Sequence, residues 1–302
     1  MKSRDSMMRS TPARPSSRLT PAQLAPSRRQ LLGVVVSAPL LLEALQGPSV
    51  PGALAAEQAE ARFLTPAQQA AVDAAFNSTM TKGKAPVCLR LVFHDFGPHR
   101  ASVGGGGLNA SIQFELDRPE NFGLKRGWRV IQATMAKLKG TAAEGAVSYA
   151  DLVALGGAHA VRMTGGPTIQ VPVGRRDALE ADPVGRMPPE DASAVQQLEI
   201  FAEAGLSPRE FLVLCGGHTL GGKGYGDPLA FDNTYYTTLL QKPWADKSNS
   251  MNQHIGIPTD HVLPEDPTCL PIIKEYAADQ GLFFRDFATA YVKATSLGVE
   301  WV

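Results

Sequence analysis

From Ala56 onward the apolar residues of this chain recur at three- and four-residue spacing, and one short stretch, Thr168-Ile169-Gln170-Val171-Pro172-Val173, alternates as a strand does. A core assembled from such a pattern lies between helices, so the expected fold class is mainly α. Start signals punctuate it. Thr65-Pro66 opens a helix predicted to run through Phe76, Ser148 precedes a helix beginning at Tyr149, and Ser207-Pro208-Arg209-Glu210 is a capping box with proline at the first helical position. Further helices are predicted at Ala85 to His94, Gly123 to Leu138, Phe231 to Leu240, and in two stretches between Cys269 and Leu297. Pro172 restricts the alternating stretch to an edge strand or a short hairpin. With no internal repeat and no long Pro/Gly linker, residues 56–302 read as one unit, organised as two helical lobes facing each other across a cleft.

Within this pattern two histidines stand apart from the other four. In Leu89-Arg90-Leu91-Val92-Phe93-His94-Asp95 the spacing places Arg90 and His94 one turn apart on a common helical face, with Phe93 beside them. More than a hundred residues later, the helix opened by Ser207 delivers His218 near its end. One helix offers an imidazole base beside a permanent positive charge, and the other offers a lone imidazole ligand. A haem held between them would have its axial ligand from one side and its acid/base groups from the other, as peroxide chemistry requires. The bare R-x-x-x-H spacing also fits an arginine paired with an acid beside a satisfied buried histidine. His159, in Gly156-Gly157-Ala158-His159, reads as structural or solvent-facing, and His99, His254 and His261 read as surface or loop. No pair of histidines has the H-x-x-x-H spacing of a zinc hydrolase. The glycine clusters Gly104–Gly107 and Gly221–Gly226 lack the continuation of a phosphate loop.

The formal net charge of zero conceals a division. Residues 1–55 carry seven Lys or Arg against Asp5 and Glu43, leaving 22 basic and 27 acidic residues in the body. An acidic body argues against a nucleic-acid partner. The first 27 residues, rich in Arg, Ser and Pro, read as an organelle transit peptide. Arg28-Arg29, an apolar run through Leu42 and Ala53-Leu54-Ala55 then read as a twin-arginine export signal. That run falls well short of the roughly 20 residues needed to span a bilayer, so no transmembrane segment is expected. The stacked signals point to the thylakoid lumen of a chloroplast, with a bacterial export signal carrying an extended n-region as the other reading. Three cysteines cannot all pair within one molecule, and Cys88 and Cys215 lie in apolar helical stretches as buried thiols would.

Seven segments taken in order sharpen the site. Leu89-Arg90-Leu91-Val92-Phe93-His94, Tyr149-Ala150-Asp151-Leu152, Gly165-Gly166-Pro167, Val173-Gly174-Arg175-Arg176-Asp177, Gly216-Gly217-His218-Thr219-Leu220-Gly221, Phe231-Asp232-Asn233 and Pro258-Thr259-Asp260 resemble the motif series of class I plant-type haem peroxidases. The resemblance covers nearly all of residues 60–302 and is strongest to the ascorbate-peroxidase branch, in particular to its thylakoid-lumenal members. It implies a haem b cofactor, hydrogen peroxide and a small-molecule electron donor as substrates, and a role in the oxidative-stress response. It implies that His94 and Arg90 form the distal pair, with Phe93 where the branch usually carries tryptophan. Asn121 would hold the distal histidine, although read alone it is a turn or cap residue. His218 would be the iron ligand and Asp260 the carboxylate accepting its other N–H. Thr219, Asp227 and Asp232 would supply oxygens to a monovalent cation, although acids at such positions also serve as caps and turn formers.

The departures from the pattern concentrate beside His218. Between Gly221 and Phe231 the chain is shorter than the family's loop by roughly ten residues. No arginine stands there to grip ascorbate, and Gly224, followed by Tyr225, falls where the family has the proximal tryptophan. Lys84 replaces a substrate-contacting cysteine, while Lys82 keeps a nearby lysine. Two readings follow. One is a peroxidase whose electron donor the sequence does not tie to ascorbate. The other is a haem-poor, non-catalytic relative serving as an auxiliary protein at the lumenal face of photosystem II.

Overall fold

The computed structural model describes residues 62–302. The targeting signals read in residues 1–55 lie outside the described residues. The described chain is helical in the order α1 (Pro66–Thr79), α2 (Ala85–Phe96), α3 (Lys125–Leu138), α4 (Tyr149–Met163), α5 (Ala194–Glu203), α6 (Pro208–Cys215), α7 (Thr234–Gln241), α8 (Pro258–Val262), α9 (Cys269–Ala278) and α10 (Gln280–Ala294). The predicted caps form. Thr65, Ser148 and Ser207 each accept a hydrogen bond from the amide three residues on, and each box is closed reciprocally by Gln68, Asp151 or Glu210. Such a cap contributes about 1 kcal/mol.

The alternating stretch does not become a hairpin. Among the described residues the extended backbone makes two isolated bridges, Arg62 with Val173 and Arg175 with Trp301. With Pro172 lacking an N–H and the segment laid over helices, there is no neighbour from which a ladder could grow. Helix α5 was not anticipated, although Ser193 and Gln196 form a capping box at its start. None of the described helices is long and apolar enough to cross a membrane.

Helices α2 and α4 pack directly on one another, and Gly157 makes this close approach possible. A Cβ there would overlap Val92 and the Tyr291 hydroxyl, which itself donates to Ala154 O. Two of the sequence motifs meet at the start of α4. Asp177 accepts from the Tyr149 and Ala150 amides, while Asp151 accepts from the Gly174 and Arg175 amides and pairs with the Arg175 guanidinium at 2.9 Å. Arg175 is fully buried and also donates to Thr295 O at the end of α10. Removing one partner of such a buried pair costs about 3–5 kcal/mol, so this knot fixes α4, and through it α2, against the C-terminal helix.

Candidate functional site

Helix α2 carries the distal pair. His94 is 7% exposed, and its Nδ1 lies 2.8 Å from Asn121 Oδ1, whose own amide donates to Glu115 O. Arg90 Nε donates to His94 Nε2 at 3.1 Å, so Nε2 is the acceptor and Nδ1 carries the proton given to Asn121. The neighbouring acid anchors the arrangement, because Asp95 accepts from the Ala110 and Ile112 amides and so ties the end of α2 to the loop leading towards Asn121. Burial, and then the adjacent Arg90 charge, pull the His94 pKa down to about 4 against the opposing pull of Asn121. The ring is therefore neutral at physiological pH. Phe93 stands edge-on to it, with centroids 5.6 Å apart.

The Arg90 guanidinium also donates to Phe122 O and Glu120 O, both at 2.9 Å. It is thus held by three acceptors at the wall of a cavity of about 790 Å³ lined by Arg90, Arg118, Phe122, Met187, Pro189, Glu190 and Lys223. Phe122 is 85% exposed at this wall.

The proximal side is assembled from distant segments. Helix α6 ends at Cys215 and the chain tightens into a 3-10 turn, Gly216–Thr219, so His218 sits in that turn and not in the α-helix expected to deliver it. A Cβ at Gly216 would overlap the Tyr236 hydroxyl and the Phe283 ring, so only glycine fits where the helix gives way to the turn. His218 Nδ1 lies 2.9 Å from Asp260 Oδ1 at the start of α8. Asp260 is buried and also accepts from Tyr235 at 2.9 Å, Tyr225 at 3.0 Å and the Ile257 amide at 3.2 Å. Burial alone would raise the pKa of Asp260, but His218, Tyr235 and Tyr225 outweigh it and hold the carboxyl below its ordinary value. Burial would likewise lower that of His218, and Asp260 outweighs it in the opposite sense.

Sequence reasoning missed Tyr225. The shortened loop has no tryptophan, but it turns Tyr225 inward until 1% of it is exposed, and its hydroxyl binds the carboxylate that holds His218. An aromatic residue next to the vacant position was the available signal.

The remaining predicted residues divide. Thr219 and Asp232 come together, with Thr219 Oγ1 donating to Asp232 Oδ1 at 2.9 Å and Thr234 joining them. Asp227 instead accepts from the Leu229 amide within its own turn. No cluster of three or more metal-binding His, Cys, Asp or Glu side chains occurs among the described residues. His159 is structural, buried and stacked on Phe76 with centroids 5.2 Å apart. His254 is exposed, whereas His99, expected at the surface, is buried in its loop, packed against the backbone around Gly106 and Gly298. Cys88 and Cys269 are buried and Cys215 half-buried, all as free thiols.

The two imidazoles fit a haem. His218 has Nδ1 committed to Asp260, which leaves Nε2 as a lone-pair ligand on a side chain 38% exposed. The cavity beside Arg90 reaches Glu190 and Lys223, whose charges act on His218, and that of Glu190 acts on Arg90 as well.

Residues 68–226 match the family model described as Peroxidase, and the chain belongs to that family. Within it the chain is of the class I plant type and ascorbate-peroxidase-like. It is 46% identical over 222 residues to the Arabidopsis thaliana "Putative L-ascorbate peroxidase 6", covering 74% of this chain and 66% of that protein, just under two thirds of its length. It is 37% identical to "Probable L-ascorbate peroxidase 3, peroxisomal" of Oryza sativa subsp. japonica, over 72% of this chain and 75% of the relative. It is 38% identical to "L-ascorbate peroxidase 5, peroxisomal" of Arabidopsis thaliana, over 71% and 76%.

Proposed function

We propose that this chain is a haem-dependent peroxidase that reduces hydrogen peroxide at the cavity beside Arg90, with haem b ligated by His218 and a small-molecule electron donor that the shortened loop does not tie to ascorbate. The observation that carries it is the matched orientation of the two imidazoles. Each has Nδ1 tied to a side-chain oxygen, at 2.8 Å to Asn121 and 2.9 Å to Asp260, so neither spends Nε2 on its anchor, and that of His94 is covered by the Arg90 side chain alone.

When bound, the haem supplies the Lewis-acidic iron and the two electrons that peroxide reduction needs. His94, neutral and fixed in its tautomer by Asn121, takes a proton from peroxide at Nε2 and returns it to the departing oxygen. Arg90 must first release Nε2, after which its guanidinium faces the negative charge developing on that oxygen. Asp260 accepts the proximal N–H and strengthens His218 as a donor, while Tyr225 and Tyr235 share the carboxylate charge and temper that effect. Ascorbate loses its arginine partner because residues 222–230 contain none. A monovalent cation, if held, would use Thr219, Thr234 and Asp232.

The direct test is one absorbance spectrum of purified residues 56–302 with haem added. A Soret band that shifts on adding hydrogen peroxide supports this reading, and its absence removes it.

A second reading is favoured by one observation: Arg90 occupies the His94 base nitrogen while anchored to two carbonyls. In that reading the chain is a non-catalytic, haem-poor auxiliary protein at the lumenal face of photosystem II. The same spectrum separates the two. Location in the thylakoid lumen, reached through a transit peptide and twin-arginine signal in residues 1–55, rests on the sequence pattern. A mature N-terminus at Ala56 in protein recovered from isolated lumen would support it, and an uncleaved or cytosolic form would overturn it.

A further inference from the structure

Four of the six tyrosines gather behind the proximal histidine, and three of them form a row leading away from it. Tyr235 stands edge-on to His218 with centroids 6.0 Å apart, Tyr236 is 5.0 Å from Tyr235, and Tyr276 is 5.2 Å from Tyr236. All three rings are buried, and Phe283 packs against Tyr236 and Tyr276. The row ends beneath Arg209, whose guanidinium lies 5.5 Å over the Tyr276 ring and is itself partly exposed.

What each hydroxyl touches differs along the row. Tyr235 donates to Asp260 and Tyr276 donates to Asp286 at 2.8 Å, so the hydroxyl at each end faces a carboxylate. Tyr236 donates to the Leu212 and Val213 carbonyls, which cannot take one. Each phenolic proton is held on a hydrogen-bond acceptor, and each ring gives up an electron easily only where that proton has somewhere to go. The ends can therefore hold an oxidising equivalent, and the middle ring bridges them.

We propose that Tyr235, Tyr236 and Tyr276 form a one-electron path from the proximal side of the site to the Arg209–Asp286 surface, where a phenolic donor is oxidised without entering the cavity beside Arg90. This rests on the haem peroxidase reading, which supplies peroxide-oxidised haem as the oxidant. In each pass Tyr276 loses one electron, its phenolic proton moves to Asp286, and the electron crosses Tyr236 and Tyr235 to reduce the oxidised haem by one equivalent. A phenol at the surface then returns the electron, Asp286 returns the proton, and the phenol's own proton goes to solvent. Two passes supply the two electrons consumed by one hydrogen peroxide, with the protons for the two product waters drawn from solvent.

The test mixes haem-loaded protein with one equivalent of hydrogen peroxide, without donor, and reads the freeze-quenched sample by electron paramagnetic resonance. The expected result is a tyrosyl signal whose hyperfine pattern changes in Tyr276→Phe, which removes one hydroxyl and keeps the ring, as the radical retreats to Tyr235, and which is lost in the double variant Tyr235→Phe/Tyr276→Phe. A tyrosyl signal unchanged in both variants, or no tyrosyl signal although the Soret band responds to peroxide, overturns the path and leaves the haem reading standing. Failure to form a Soret band removes both.

Discussion

The two halves of the site are built on opposite plans. On the distal side Arg90, Phe93 and His94 come from one helix, and the partners of Arg90 are two main-chain carbonyls and a ring nitrogen at the wall of an open cavity. On the proximal side His218, Asp260, Tyr225 and Tyr235 come from four separate segments, and the carboxylate is buried under four donors. The distal arginine can exchange its acceptors without disturbing the core. The proximal carboxylate is fixed by two donors on each oxygen, His218 and Tyr235 on Oδ1, Tyr225 and the Ile257 amide on Oδ2, and its own loss would leave the two buried hydroxyls unpaired. A peroxide-cleaving site needs both, a movable charge where bonds break and a fixed ligand where the metal sits.

His218→Ala should have the largest effect, abolishing the Soret band of haem-loaded protein, and haem bound with an unchanged spectrum would dissolve the distinction between the two sides. Next in size, His94→Ala should leave that band in place and slow peroxide cleavage by roughly 10²–10⁴, the usual worth of a general base, as read by stopped-flow absorbance. An unchanged rate would remove His94 from the chemistry. Asp260→Ala would strand the Tyr225 and Tyr235 hydroxyls in the core at about 1–3 kcal/mol each, measurable by urea unfolding, whereas Arg90→Ala should change stability far less. Equal losses would erase the contrast between fixed and movable.

The pH dependence gives a finer test. With its pKa near 4, His94 should keep the peroxide step level as pH falls from neutral and lose it only as pH approaches 4. Because 6.5 is the ordinary value, the unfolded chain binds the extra proton first, so this residue's contribution to stability is present above 6.5 and declines as pH drops from there towards 4. A rate that falls already near 6.5 would mean that the ring is more open to solvent than its 7% exposure implies. The smallest expected effect is that of Tyr225→Phe, about 1 kcal/mol of stability for one lost hydrogen bond.

Legibility followed the same division. The distal pair was readable because helical periodicity converts a four-residue spacing into a shared face, and α2 formed as expected, two residues longer than predicted. The caps of α1, α4 and α6 were readable because each is a local bargain between a side chain and an amide three residues away. Thr168–Val173 misled because alternation describes a face and not the partner strand a ladder requires. Tyr225 offered only its place beside the vacant tryptophan position, because its partner Asp260 is 35 residues away and nothing local records that the loop turns inward.

What the sequence determined by itself is the helical class, the helix starts, and the side-chain chemistry offered by Arg90, His94 and His218, since each depends on neighbours within a turn or two of backbone. Only the tertiary structure decided that Asp260 would be held by two tyrosines, that His218 would sit in a tightened turn after α6, and that Arg90 would rest on His94. Those outcomes depend on which segments exclude water together, and burial is a property of the packed chain as a whole.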